Sequence, residues 1–146
     1  MRRRTLVALV LVLLLPLLPA ASARAQAPPL TLNPTTVEFT ASPDHAATGL
    51  DGQPVVTNYV LRVYVSTDVA LSTVVATLDI GKPAPNTQNT ISVTNAVWFA
   101  ALTPRTKYVA TVAAKGPSGE GVSAVSNPFG NQGPPAAGGT PNVVRK

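Results

Sequence analysis

Ser42, Asp44 and His45 stand together in the stretch "ASPDHAATG". They are the side-chain types of a nucleophilic triad, in which an imidazole takes the serine proton and a carboxylate orients the imidazole. The spacing works against that chemistry. A working triad converges from separate elements onto a shared oxyanion site, whereas near neighbours on one loop point apart. His45, the only histidine, therefore reads as a solvated loop side chain. Metal chemistry meets a shortage of ligands, with no cysteine and one histidine. Asp44 and Asp51 share a loop, but that loop lacks the oxygen density of a dedicated calcium site. Glu38, Asp68, Asp79 and Glu120 fall on different segments and form no evident carboxylate pair for glycoside hydrolysis. No glycine-rich phosphate loop follows a strand and opens a helix. The expectation is a chain without catalytic, metal or cofactor sites.

Binding surfaces are the remaining chemistry. Trp98 is the only tryptophan. If "ISVTNAVWFAAL" is one strand, Ile91, Val93, Val97 and Phe99 share a face, and Trp98 lies opposite with Ala96 and Ala100. An outward ring there stacks on a sugar or fills a partner's pocket; the plainer reading is that it covers the outer sheet face or packs under the N-terminal arm. Tyr64 joins it as a second aromatic on an outer face. Lys115 and Glu120, in the loop "KGPSGEG", are the charged candidates. Turn geometry alone accounts for that loop's proline and glycines.

These residues need a scaffold, and its limits are legible. Met1 to Arg4 is basic, Thr5 to Leu18 is an apolar run of about 14 residues, and "PAASARAQA" offers small residues at cleavage spacing. This is the layout of a secretory signal peptide, with cleavage expected after Ala25. The run is shorter than the roughly 20 residues of a spanning helix and is broken by Pro16, so no transmembrane segment is expected after cleavage. Four arginines leave with the signal, which leaves seven cations against six acids. The high isoelectric point thus belongs to the signal and gives no nucleic-acid footprint. About 100 residues without a disulfide are enough for one core. Residues 130–146 are rich in Gly and Pro and read as a disordered tail.

Between these ends the pattern is one of short strands separated by Gly, Pro, Asn and Asp clusters. Expected strands are Leu30–Leu32, Thr36–Ala41, Asn58–Val65, Ser72–Ile80, Thr90–Ala100, Tyr108–Ala114 and Val122–Ser126. In "NYVLRVYV", Tyr59, Leu61, Val63 and Val65 share one face, with Arg62 and Tyr64 opposite. The stretch from Ser42 to Thr57 reads as loop throughout.

Tyr108 sits where a strand begins, just after Pro104. A tyrosine entering a core at such a corner can return its hydroxyl to the backbone upstream and pin the crossover. Pro104 in the crossover costs the sheet no donor, and Leu102 closes the core below it. The run "LTPRTKYVATVAAKGPSGEGVSAVSN" closely resembles the second half of a fibronectin type III domain, through Leu102, Pro104, Thr106, Tyr108, Val112, Ala114, Gly119 and Ser126. Tyr59 and Leu61 resemble the family's Tyr-x-Val. The resemblance spans roughly residues 29–129. Phe39 stands where the family usually carries tryptophan, and Asp68–Val97 is longer than the usual link. No Arg-Gly-Asp occupies the loop that some animal relatives use for receptors.

The resemblance implies a seven-stranded antiparallel β-sandwich over residues 26–129, after a signal at 1–25. Tyr108, Leu102, Phe39, Tyr59, Leu61, Val63, Val112 and Phe99 should be buried. The implied function is a non-catalytic secreted, periplasmic or cell-surface module for protein interaction or adhesion. A carbohydrate-binding accessory module is the alternative, and a small hydrolase built on His45 is a third. The partner is an extracellular or periplasmic protein or polysaccharide.

Overall fold

The structure, a computed structural model, describes residues 27–133. The expected signal peptide and most of the expected tail lie outside the described residues. Among the described residues the chain is all-β, with eight strands and one helical turn. The strands are β1 (Thr31–Leu32), β2 (Thr36–Thr40), β3 (Asn58–Val65), β4 (Ala76–Gly81), β5 (Thr90–Thr94), β6 (Tyr108–Gly116), β7 (Gly119–Val122) and β8 (Phe129–Gly130); α1 is Ala96–Ala100. One sheet has the order β1-β8-β6-β3-β4, with β7 also on β6; the second pairs β2 with β5.

β3 is the organising strand. Its β-branched and aromatic residues suit a pleated surface, and it pairs along its length with β6 and with β4. Tyr59, Leu61 and Val63 enter the core, where Val37, Phe39, Ile91 and Val93 of the other sheet meet them. Both sheets thus share one apolar cluster. The opposite face of β3 is covered too. Arg62 and Glu120 form a two-pronged ion pair with both bonds at 2.7 Å, reaching across β6. Thr111 and Ala113 are buried on β6 beside Arg62 and Val60. Alternation assigned Tyr64 to an open face, yet it is only 5% exposed.

Three segments depart from the expected strands. The strand through Ala100 stops at Thr94, because Asn95 accepts the Trp98 amide at 3.1 Å and caps α1. An asparagine followed by an alanine-rich run favours that turn over an extended chain. Val97 consequently turns outward and is 83% exposed, while Phe99 is buried. β4 begins at Ala76 rather than Ser72. The Asp68 carboxylate takes the Thr73 amide at 2.8 Å and the Ser72 hydroxyl at 3.2 Å, which holds that stretch as a capped loop. The last strand is split, for β7 spans Gly119–Val122 and pairing with β6 then slips in register before Phe129. At the slips, Ser123 and Ser126 accept the Val112 and Ala110 amides through their hydroxyls, each at 3.0 Å.

Strand pairing also continues past Phe129. Gly130 completes β8, where a Cβ would collide with the Thr106 carbonyl. Asn131 donates its side-chain amide to the Phe99 carbonyl at 2.6 Å and the Leu102 carbonyl at 3.2 Å. Its own carbonyl takes the Arg105 amide at 2.7 Å. Asn131 therefore ties the end of α1 and the crossover to β8. In the long polar loop, a bridge between Thr48 and Pro54 closes a small turn around Asp51 and Gly52.

Candidate functional site

The Ser42–His45 loop is bound to the core and does not form a triad. Nδ1 of His45 lies 2.9 Å from the Tyr59 hydroxyl, and the two rings are nearly parallel, with centroids 5.8 Å apart. The Ser42 amide donates to the same hydroxyl at 3.1 Å. The Ser42 hydroxyl instead accepts the Asp44 amide at 3.2 Å. The histidine is thus half-buried and structural, where the sequence suggested a solvated side chain. Tyr59 is 1% exposed, so its hydroxyl needs these partners.

The other sequence candidates are dispersed. Trp98 is half-buried and rests edge-on against Phe99, with centroids 5.1 Å apart. It lines a hollow with Val75, Ala76, Leu102 and Tyr108, at the foot of the core. Glu120 is engaged by Arg62, and that bond holds its carboxyl below the usual range, with nearby Lys115 adding a smaller effect in the same direction. Lys115 lies at the end of β6, opposite Glu120. Asp79 is likewise held low, first by the Gly81 amide and then by Asn58. No group of three His, Cys, Asp or Glu suited to a metal ion occurs among the described residues.

Of the structural candidates, Tyr108 is 4% exposed and its hydroxyl donates to the Thr103 carbonyl at a long 3.4 Å. Leu102 is buried beneath it. Pro104 stays in the crossover, outside the strands. Phe39 differs from expectation. It packs against Tyr59, centroids 5.2 Å apart, but is only half-buried. The reason is the strand that carries it.

β2 pairs on one side only. Thr35 and Ala41 exchange backbone bonds toward β5, so alternation directs the N–H and C=O groups of Thr36, Glu38 and Thr40 to the other side. No described strand pairs there. Two hollows follow that edge. The upper, of about 390 Å³, is lined by Phe39, Tyr59, Val112, Ala114 and Gly121 among others. The lower, of about 130 Å³, mixes Val37, Leu61 and Phe129 with polar residues that include Thr31, Ser126 and Asn127. Together they make a seam, mainly apolar above and mixed below, between the free edge of β2 and the split last strand. The sequence held one clue: among the described residues ahead of β2, only Leu30 and Leu32 are large and apolar, too few to provide it with a full-length neighbour.

No family model matches the chain, and no curated protein matches it. What the described residues define is a small, mostly-β domain with two sheets, compatible with an immunoglobulin-like fold. No helix among the described residues is long and apolar enough to cross a membrane.

Proposed function

We propose that this chain is a non-catalytic, exported module of the fibronectin type III sandwich kind that binds another protein or mediates adhesion. The observation that carries the binding role is the unpaired edge of β2 above this seam. A row of main-chain donors and acceptors beside apolar side chains is suited to polypeptide, which offers the same groups in the same period. The fold assignment is supported by the shared core of the two sheets and by the Tyr108–Thr103 bond across the Pro104 crossover. Export rests on the Met1–Ala25 sequence alone, and places the module in the periplasm, at the cell surface or in the medium.

A carbohydrate-binding module ranks below this reading. Stacking on a sugar calls for open, flat rings, whereas Tyr64 is buried and Trp98 is braced against Phe99. A hydrolase built on His45 ranks lower still, because the Ser42 hydroxyl meets the Asp44 amide and neither a nucleophile nor a carboxylate bonds to the imidazole among the described residues.

The test immobilises the chain and challenges it with the envelope fraction and culture fluid of the cell that makes it. A discrete protein retained in stoichiometric amount is the expected result. Retention only of material released by glycosidases would replace the reading with the carbohydrate one. Ester or peptide hydrolysis abolished by His45→Ala would overturn the non-catalytic assignment. N-terminal sequencing of the native protein should begin at Gln26; an intact Met1 would remove the export element.

A further inference from the structure

The free edge of β2 presents Thr36, Glu38 and Thr40 at alternate positions, with Glu38 central. Its side chain lies on the outer face and is exposed. One carboxylate oxygen accepts the Ser92 hydroxyl at 3.2 Å. No lysine or arginine among the described residues pairs with it. On the inner face, Val37 and Phe39 stay half-buried because the seam beside them is open. The far lip is built from small residues, including Gly121, Ser123 and Ser126. Where a Cβ on Gly121 would stand, no described atom outside Gly121 and its chain neighbours lies within 4 Å.

We infer that this seam accepts an extended strand from a partner protein, one that alternates basic residues with aliphatic residues of Val or Leu size. The inference rests on the protein-binding reading above and names its site and partner chemistry. An added strand satisfies the outward backbone groups of Thr36, Glu38 and Thr40. Its aliphatic side chains enter the two hollows and close the exposed flanks of Phe39 and Val37. Its other side chains stand on the outer face directly beside Glu38, where cross-strand neighbours of opposite charge attract and like charges repel.

Glu38 also decides between occupants. If two copies of this chain paired β2 against β2 in the register centred on the edge, Glu38 would face its own copy. A charge in mid-edge is a device that discourages such self-pairing. A cation-bearing strand turns the same residue into an attraction.

The probes are two synthetic peptides of about nine residues. One alternates Val with Lys, the other Val with Glu. Each is titrated into the intact chain while backbone amide shifts are followed. The Lys peptide should shift the amides of Thr36, Glu38 and Thr40, and the Glu peptide should bind at least about tenfold more weakly. Glu38→Lys should reverse that order. Gly121→Leu should abolish binding of both peptides by filling the upper hollow; its backbone φ is not positive, so its circular dichroism and melting should match the parent.

Several results overturn the inference. Equal binding of the two peptides removes the role of Glu38. Slow hydrogen exchange of the three edge amides before any peptide is added means that the chain already covers its own edge. Mass that rises with concentration and falls in Gly121→Leu makes the seam a self-interface. Capture of a native protein undiminished by both Glu38→Lys and Gly121→Leu leaves the module reading standing and sinks the β2 site alone.

Discussion

The phenolic oxygen of Tyr59 lies 2.9 Å from Nδ1 of His45 and 3.1 Å from the Ser42 amide nitrogen. A phenol has one proton to give and lone pairs to accept with. The Ser42 N–H uses an acceptor site, and the arrangement that satisfies every group sends the phenolic proton to Nδ1, with the imidazole proton on Nε2. One buried hydroxyl thereby anchors the start of the long polar loop to the core.

Removing that hydroxyl in Tyr59→Phe leaves the Ser42 amide and His45 without partners. The expected cost is about 1–3 kcal/mol, with faster hydrogen exchange at Ser42. His45→Ala should cost less, about 0.5–1.5 kcal/mol, because the Ser42 bond survives. Urea unfolding ranks the two. A neutral Tyr59→Phe would show that the loop is held by something else.

Thr111 offers an opposite case. It is 2% exposed, and its hydroxyl has no partner among the described residues. Its cross-strand partner on β3 is Arg62, which pairs with Glu120. A buried, unpaired hydroxyl is destabilising, whereas an apolar group of the same shape is not. Thr111→Val should therefore raise stability by about 1 kcal/mol, without moving the ion pair. A loss of stability would place an unseen acceptor, such as a bound water, at that hydroxyl.

The legible and illegible parts of the chain divide on physical grounds. Asn58–Val65 was readable to the residue, because its period-two pattern is long and its ends are marked. Tyr108 was readable through a proline-bearing corner. Trp98 was misplaced because apolar alternation through Asn95 outweighed the capping signal, although asparagine before an alanine-rich run carries that signal openly. The pinning of His45 depends on Tyr59, fourteen residues away along the chain, and local pattern carries no trace of it. The seam was invisible for a different reason. It arises because no described strand pairs with the far edge of β2, and an unfilled position leaves little mark on the residues around it. Asn131 was hidden inside a Gly/Pro-rich stretch whose composition points to a tail.

Acid should weaken this domain through three carboxylates. Asp68 is held below the usual carboxylate range by the Thr73 amide first and then by Ser72; Asp79 and Glu120 are held low by the Gly81 amide and by Arg62 respectively. A depressed folded value means that the stabilisation is fully present above the unfolded value, about 4, and is lost as pH falls through the folded value. All three groups are at the surface and screened by solvent, so the effect is a slope rather than a collapse. The urea midpoint should decline below about pH 4. Asp68→Asn should lower the midpoint at neutral pH and flatten the acid decline. A midpoint that rises on acidification would contradict the assigned directions.

Tyr108 and Trp98 test the foot of the core together. Tyr108 is buried against Phe129, with centroids 6.0 Å apart, and its truncation to alanine should cost about 3–5 kcal/mol. The hydroxyl contributes less than the ring. Its bond to the Thr103 carbonyl is 3.4 Å long, beyond the favoured range for O–H···O, and Thr103 is exposed, so water can replace the phenol. Tyr108→Phe should cost only about 0.5–1 kcal/mol. Trp98, half-buried on Phe99, stands between these values. Burying about half of a tryptophan's 150–250 Å² corresponds to about 2–3 kcal/mol, so Trp98→Ala should be felt clearly rather than pass as a surface change. The order of urea midpoints is then Tyr108→Phe above Trp98→Ala above Tyr108→Ala. If Trp98→Ala were neutral, the tryptophan would be free in solution and would not pack on Phe99. If Tyr108→Phe were as damaging as Tyr108→Ala, the long bond to Thr103 would have to be the main fastening of the crossover, and the ring's place in the core a minor one.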